Sequence, residues 1–169
     1  MNDGQIKTLD VLQGLSGVWT GRGTASYPTI PTFRYREELT LTFVEGKAYL
    51  HYNQRTWRFE ENGAENPSHW ETGFWRVLAE NEIELLCAQS GGRVEAGRGL
   101  LTPTGGGFVL NLASVLLGPD PRVAQTRRTF SLQGKTLQYA LEMQTGVVPS
   151  LTLHVAAHLE RVNYTAEHG

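Results

Sequence analysis

The chain has 169 residues, of which 40% are hydrophobic and 19% charged, and this is enough for one globular domain with a real interior. A net charge of −2, a pI near 6.2 and the lack of a basic stripe argue against nucleic acid or an anionic membrane as the main partner. The single cysteine, Cys87, excludes a disulfide framework and suits a reducing cytoplasm, and without an apolar run of roughly 18 residues no segment is expected to span a membrane.

The first predicted element is a short helix over residues 6–15, where Ile6, Leu9 and Leu12 recur at helical spacing. Beyond it, apolar and polar residues alternate between turns rich in Gly, Asn and Pro, and this pattern predicts strands. The predicted strands cover residues 17–25, 33–44, 48–53 with 56–60, 69–79, 82–89, 93–102, 108–115, 123–132, 136–145 and 151–162.

About ten strands joined mostly by short turns, with residues 61–68 as a polar loop, leave no room for helical crossovers between strands. We therefore predict an all-β fold, a single antiparallel up-and-down barrel of ten strands with a short N-terminal helix, because closure removes exposed strand edges. A two-sheet sandwich is the alternative. The whole chain, 1–169, is expected to form one domain with its core at about 12–162. A barrel of this size is wider than its own side chains fill easily, so a ligand cavity is plausible.

Standard catalytic patterns are absent from the sequence, which has no phosphate-binding glycine loop, no G-x-S-x-G elbow and no zinc-binding Cys or His spacing. Cys87 lies in an apolar strand, which indicates a buried, inert thiol. The adjacent carboxylates of Glu37 and Glu38 point to opposite sides of a strand. We interpret them as one solvated and one ion-paired residue, not as an acid and base pair.

The histidines are the scarce, informative residues. His154 and His158 are four residues apart on the last predicted strand, about 13 Å at strand rise, which is too far for both to bind one small metal ion. Each would act singly, and this favours a cofactor that needs one protein ligand, as haem does. The alternative for any strand histidine is an ordinary wall residue, and this is our interpretation of His51.

Several short motifs follow one another along the chain. The first is a G-x-W-x-G-x-G run formed by Gly17, Trp19, Gly21 and Gly23. The later ones are Tyr27-Pro28-Thr29, Phe33-Arg34-Tyr35-Arg36-Glu37-Glu38, the run from His69 to Arg76, the run from Ala88 to Glu95, Thr126-Arg127-Arg128, Met143 and the run from Leu153 to Arg161. In this order the motifs resemble those of the nitrobindin family over residues 12–162.

The resemblance implies a barrel related in shape to lipocalins and fatty-acid-binding proteins that holds one haem b near its mouth. It further implies that the protein binds nitric oxide and, as an enzyme, converts peroxynitrite to nitrate on ferric haem. Carried over residue by residue, it makes His154 the proximal iron ligand and places Thr29 beside the haem, His69 and Gln89 on the distal side or pocket wall, Met143 against the pocket and Arg128 against a propionate.

The orientation of His154 conflicts with simple alternation along the last strand. An apolar face is shared by Leu151, Leu153, Val155, Ala157 and Leu159, and this would turn His154 outward. Either the haem lies at the mouth, where an outward lean is tolerable, or a β-bulge near Pro149 resets the phase. Two residues also depart from the family pattern. Ser68 stands where a methionine is expected, and His158 is an extra histidine, although the motif spacing favours His154 as the ligand.

The main alternative is a non-enzymatic carrier of a small apolar ligand such as a fatty acid. In that case the histidines are incidental, and Arg127 or Arg128 would meet the ligand's carboxylate. The oligomeric state is not given by the sequence, and a homodimer is kept as one possible assembly. Four tryptophans are open to two interpretations, as cavity wall or as packed core: Trp19, Trp57, Trp70 and Trp75.

Overall fold

A computed structural model describes residues 1–162, so the expected polar tail at 163–169, with His168, lies outside the described part. The helix α1 spans Asp3–Gln13. The ten strands that follow are β1 Gly17–Ala25, β2 Phe33–Phe43, β3 Tyr49–Phe59, β4 Glu65–Ala79, β5 Glu82–Gln89, β6 Val94–Thr104, β7 Gly107–Gly118, β8 Val123–Gln133, β9 Thr136–Thr145 and β10 Thr152–Arg161.

The described strands form one closed antiparallel barrel in which each strand pairs with its neighbours in sequence and β1 pairs with β10. The prediction of a ten-stranded up-and-down barrel is therefore confirmed, and the sandwich alternative is wrong. Closure leaves no strand edge free, since the backbone groups of β1 on one side and β10 on the other satisfy each other.

The helix starts earlier than the apolar spacing predicted. Asn2 is its N-cap, and the Asn2 side chain accepts a hydrogen bond from the Gln5 backbone N–H while the Gln5 side chain accepts one from the Asn2 backbone. This capping box holds the first turn, which carries no apolar signal. No helix within residues 1–162 is long and apolar enough to cross a membrane.

The loop predicted at 61–68 is shorter than expected, because β4 already begins at Glu65. Pro67 is accommodated where the pairing of β3 with β4 shifts register, between Arg55 and Trp57. Proline is tolerated at such a bulge because a ladder hydrogen bond is already missing there. Glu65 is further held by an ion pair with Arg36 at 2.8 Å.

The two ends of the barrel differ. At one end α1 packs Leu9 and Leu12 into the core, and the backbone N–H of Asn81 donates to the Thr8 hydroxyl at 2.7 Å. Large apolar side chains such as Trp75 fill this half of the interior. The opposite end, at the end of β1 and the start of β10, carries the cavity described below.

The G-x-W-x-G-x-G run forms the seam between β1 and its two neighbours. A Cβ at Gly21 would lie 2.1 Å from the His158 carbonyl oxygen, and one at Gly23 would lie 2.2 Å from the Tyr35 ring. Gly17 has a φ of +134°, which L side chains rarely adopt. Trp19 is fully buried and donates from Nε1 to the Leu15 carbonyl at 2.8 Å. These four residues therefore close the barrel, and none of them lines the cavity.

Candidate haem site at the open end of the barrel

A cavity of about 470 Å³ opens at the end of the barrel opposite α1. This volume lies in the usual range of small-molecule sites, roughly 300–1,000 Å³. About half of the residues that line it are polar or charged, and the others are apolar residues, tyrosines and glycines. All six residues to which the sequence analysis gave a site role line it, namely Thr29, His69, Gln89, Arg128, Met143 and His154.

A β-bulge in β10 turns His154 into this cavity. In the pairing with β9, Leu153 lies opposite Glu142 and Val155 lies opposite Leu141, so His154 is an extra residue in β10. Two residues therefore oppose one, and the side chains of His154 and Val155 both line the cavity. Leu153 is turned outward and is 52% exposed, whereas His154 is only 2% exposed. The bulge that the sequence analysis considered near Pro149 thus lies at His154 itself.

The imidazole of His154 is held in one orientation. Its Nδ1 lies 2.6 Å from the Thr152 carbonyl oxygen, and because a carbonyl can only accept, Nδ1 carries the proton and donates. The Tyr27 ring packs against the imidazole with the ring centroids 5.6 Å apart. Within residues 1–162, Nε2 makes no hydrogen bond, so its lone pair is available to a ligand. A histidine whose second nitrogen is fixed by a carbonyl is the usual arrangement for binding a metal.

The other histidines of the last strands and sheet wall lie elsewhere. His158 is on the outer face, where its Nδ1 lies 3.1 Å from the side-chain nitrogen of Gln138. His51 contacts the Thr72 hydroxyl outside the barrel. The tryptophans do not line the cavity either: Trp19 and Trp75 are core residues, and Trp57 and Trp70 lie under arginines on the outer face.

The expected distal residues lie around the rim and upper wall of the cavity. Thr29 is exposed in the turn between β1 and β2, and His69 is partly exposed with its Nε2 3.6 Å from a Glu71 oxygen. Gln89 lies at the end of β5, 3.5 Å from Glu95. Their positions fit the roles that the resemblance implies, and those roles stay predictions.

Arg128 lies at the cavity floor with partners that the sequence analysis did not foresee. Its guanidinium makes two hydrogen bonds to Glu71, at 2.8 and 2.9 Å, and two to Glu95, at 2.9 and 3.4 Å. The Glu95 carboxylate also accepts from the Thr126 hydroxyl. All three nitrogens of Arg128 thus already donate to two buried carboxylates, so the structure does not favour the expected contact with a propionate. Burial alone would raise the pKa of Glu71, but Arg128 and His69 outweigh it and hold that pKa well below its usual range.

A second buried polar cluster lies beside this ion pair and was also missed. Glu37 is fully buried, accepts hydrogen bonds from Tyr139 at 2.7 Å and Gln54 at 2.8 Å, and has no cation within salt-bridge distance in the described residues. The Tyr139 hydroxyl also contacts that of Tyr35 at 3.0 Å. Burial raises the pKa of Glu37 to about 7. The interpretation of Glu37–Glu38 as a solvated and an ion-paired residue is therefore wrong for Glu37.

Cys87 has the inert character that the sequence predicted. The thiol is buried in β5, and burial, with Glu71 nearby, raises its pKa to about 11. It is therefore protonated at neutral pH and a poor nucleophile.

The residues around the cavity fit a haem with one protein ligand. A single buried imidazole offers an uncommitted nitrogen toward the space, and apolar side chains such as Leu141 and Val155 flank it. Because haem iron in several protein classes is held by one histidine, this donor set matches the cofactor that the sequence suggested.

Comparison with known proteins gives the same result. The model of the family described as "THAP4-like, heme-binding beta-barrel domain" matches residues 8–161. Peroxynitrite isomerase 1 of Rhodococcus jostii is 38% identical over 151 residues, which cover 89% of this chain and 82% of that protein. Peroxynitrite isomerase 2 of Mycobacterium marinum is 36% identical over 156 residues, covering 90% and 94% of the two chains.

Among solved structures, the crystal structure of Rv2717c from M. tuberculosis superimposes with a TM-score of 0.85 at 33% identity. The superposition covers 96% of this chain and 99% of that one. Matches of this extent to both a family model and a solved barrel assign the chain to one family. The chain belongs to the THAP4-like family of haem-binding β-barrels, the nitrobindin family that the order of its motifs resembles.

Proposed function

We propose that this protein binds one haem b through His154 and converts peroxynitrite to nitrate. The observation that carries the proposal is the His154 imidazole, which is buried, held by the Thr152 carbonyl and free at Nε2 beside a cavity of about 470 Å³. The relatives named peroxynitrite isomerase support the choice of reaction, since they match about nine-tenths of the chain.

The net reaction is an isomerisation and requires no co-substrate. Peroxynitrite and nitrate contain the same atoms and carry the same charge, so the chain has to supply neither electrons nor protons in the net reaction. When bound, ferric haem would supply the Lewis acidity that this rearrangement needs. The protein's part would be to hold the iron through His154, to leave room in the cavity for a small anion or nitric oxide, and to limit water near the imidazole with apolar side chains such as Leu141 and Val155.

The Thr152 carbonyl has a defined part in this proposal. By accepting a hydrogen bond from Nδ1–H it fixes the tautomer in which Nε2 is the ligand atom, and it increases the basicity of the imidazole. The Tyr27 ring restricts rotation of the imidazole from the other side. Thr29, His69 and Gln89 are the polar residues that we assign to the space where the small ligand binds.

The test is a titration of the purified protein with hemin, beside His154→Ala and the matched control His158→Ala. We expect a Soret band that shifts on addition of nitric oxide in the parent protein and in His158→Ala, and loss of this band in His154→Ala. Accelerated peroxynitrite decay by the hemin-loaded parent protein, followed in a stopped-flow instrument, tests the reaction. A His154→Ala variant with an unchanged spectrum would refute the ligand assignment.

The geometry gives less support to a carrier of fatty acids. Arg127 lies on the outer wall near Glu142, with its Nη1 3.6 Å from the carboxylate, and Arg128 is paired with Glu71 and Glu95. Arg127 therefore lies away from the cavity, and Arg128, which lines it, is already paired with two carboxylates.

A further inference from the structure

Arg93 stands at the mouth of the cavity with a buried nitrogen that has no hydrogen bond. The residue directly precedes β6, and its backbone carbonyl accepts from the Gln89 N–H at 2.9 Å, closing the turn after β5. The side chain lines the cavity together with Tyr27 and His154. Its Nε is shielded from solvent and unpartnered, and the only side-chain hydrogen bond found for Arg93 in residues 1–162 is a weak one, from Nη1 to the Met143 sulfur at 3.7 Å.

This arrangement differs from that of the other arginines near the cavity. Arg128 is satisfied by two carboxylates, and Arg122 makes two side-chain hydrogen bonds to Asp120, at 2.8 and 3.0 Å. The Nε of Arg58 also lacks a hydrogen bond, but it lies 3.9 Å from a Glu60 oxygen, and its guanidinium lies over the Phe33 ring at 4.8 Å. Arg93 has no carboxylate within 4 Å among the described residues.

A shielded donor without a partner destabilises the protein, because it has given up hydrogen bonds to water and forms no other hydrogen bond. A guanidinium presents its donors in a planar fork that matches a carboxylate, and the pair is strong where water is limited. Arg93 lines the same cavity as His154 and as Tyr27, whose ring packs on the His154 imidazole, so the guanidinium borders the same space as the iron ligand.

We propose that Arg93 binds a carboxylate of the molecule held in the cavity. If the carboxylate is a haem propionate, this inference rests on the proposed function. A fatty acid would offer Arg93 the same kind of carboxylate. Arg93 thus takes the role that the sequence resemblance gave to Arg128. The Nε donor, unpartnered without ligand, is satisfied when the carboxylate is bound.

The experiment compares hemin with hemin dimethyl ester, whose propionates are esterified, by titrating the Soret band of the full-length protein. The variants are Arg93→Gln, the charge-preserving Arg93→Lys, and Arg127→Gln as a control that removes an arginine from the outer wall. Each variant is first shown to have the circular dichroism spectrum and melting temperature of the parent protein. A parallel titration with oleate tests the second source of a carboxylate.

We expect Arg93→Gln to raise the dissociation constant of hemin about tenfold or more, the usual effect of losing a charged hydrogen bond, and to leave that of the ester unchanged. Arg93→Lys should recover part of the loss, and Arg127→Gln should change neither constant. The inference would be overturned if Arg93→Gln weakened the binding of hemin and of its ester equally. It would also be overturned if Arg93→Gln weakened the binding of neither hemin nor oleate. If the parent protein binds neither porphyrin, the proposed function fails. If oleate then binds the parent protein and binds Arg93→Gln more weakly, the carboxylate that Arg93 binds is that of a fatty acid and not a haem propionate.

Discussion

Glu37 makes the stability of the barrel depend on pH in a direction opposite to that of an ion-paired carboxylate. Burial raises the pKa of Glu37 from 4.5 to about 7, and the hydrogen bonds from Tyr139 and Gln54 compensate for only part of this effect. A folded-state pKa above the unfolded one means that the stabilising contribution is complete below pH 4.5 and is lost as the pH rises through 7. With these two values, the contribution of Glu37 falls by about 2–3 kcal/mol between pH 5 and pH 8.

The variant Glu37→Gln, which is neutral at every pH, isolates this effect. We expect the free energy of unfolding of the parent protein, measured by urea titration without haem, to fall relative to that of the variant by about 2–3 kcal/mol from pH 5 to pH 8. Carboxylates with depressed pKa values act equally on both proteins and cancel in the difference. Parallel curves for the two proteins over this range would show that Glu37 ionises as a solvated carboxylate does, and would refute the reasoning.

Three further predictions concern other parts of the barrel. Arg128→Met leaves two buried carboxylates without their cation and should cost about 3–5 kcal/mol in urea unfolding, whereas Arg127→Met, at an exposed pair, should cost about 1 kcal/mol or less. Gly21→Ala drives a methyl group into a backbone carbonyl of β10 and should lower stability by about 1–3 kcal/mol, while Gly105→Ala, in an open turn, should be neutral within about 0.5 kcal/mol. Alkylation of Cys87 by iodoacetamide at pH 8, followed by mass spectrometry, should be about 100-fold slower in the folded protein than in urea, because burial raises the pKa of the thiol to about 11. The first two predictions would be contradicted if Arg128→Met and Arg127→Met, or Gly21→Ala and Gly105→Ala, lowered stability equally. The third would be contradicted if Cys87 were alkylated at the same rate in the folded protein and in urea.

The sequence predicted the barrel well, since alternation and turn residues are local signals. Strand β2 shows this clearly, because its alternate residues from Tyr35 to Leu41 all point inward as expected. The same pattern held a signal that was not used: Glu37 lies on the apolar face between Tyr35 and Leu39. Its partner Tyr139 is 102 residues away, so the identity of the hydrogen-bond network could not be read from local spacing.

The floor of the cavity was missed for a similar reason. Arg128, Glu71 and Glu95 lie on three different strands, and only the closed barrel brings them together. The motifs placed all three in the chain order of the family but carried no information about which charges pair. The roles given to Arg93 and Arg128 depend on that pairing, because every nitrogen of Arg128 already donates to Glu71 or Glu95.

The orientation of His154 is the clearest case in which strand pairing decides the chemistry. Alternation would turn it outward, and a bulge is set by how β10 pairs with β9, not by the residues of β10 alone. Deleting Leu153 removes one residue from the bulge and should let His154 take the outward place opposite Glu142, while Val155 keeps its inward position opposite Leu141. We expect this variant to keep the circular dichroism spectrum of a barrel and to lose the Soret band of the hemin-loaded protein. The substitution Leu153→Thr, which retains the bulge, should bind hemin as the parent protein does. An unchanged Soret band in the deletion variant would mean that the bulge moves along the strand and that the phase of β10 is not what directs His154 into the cavity.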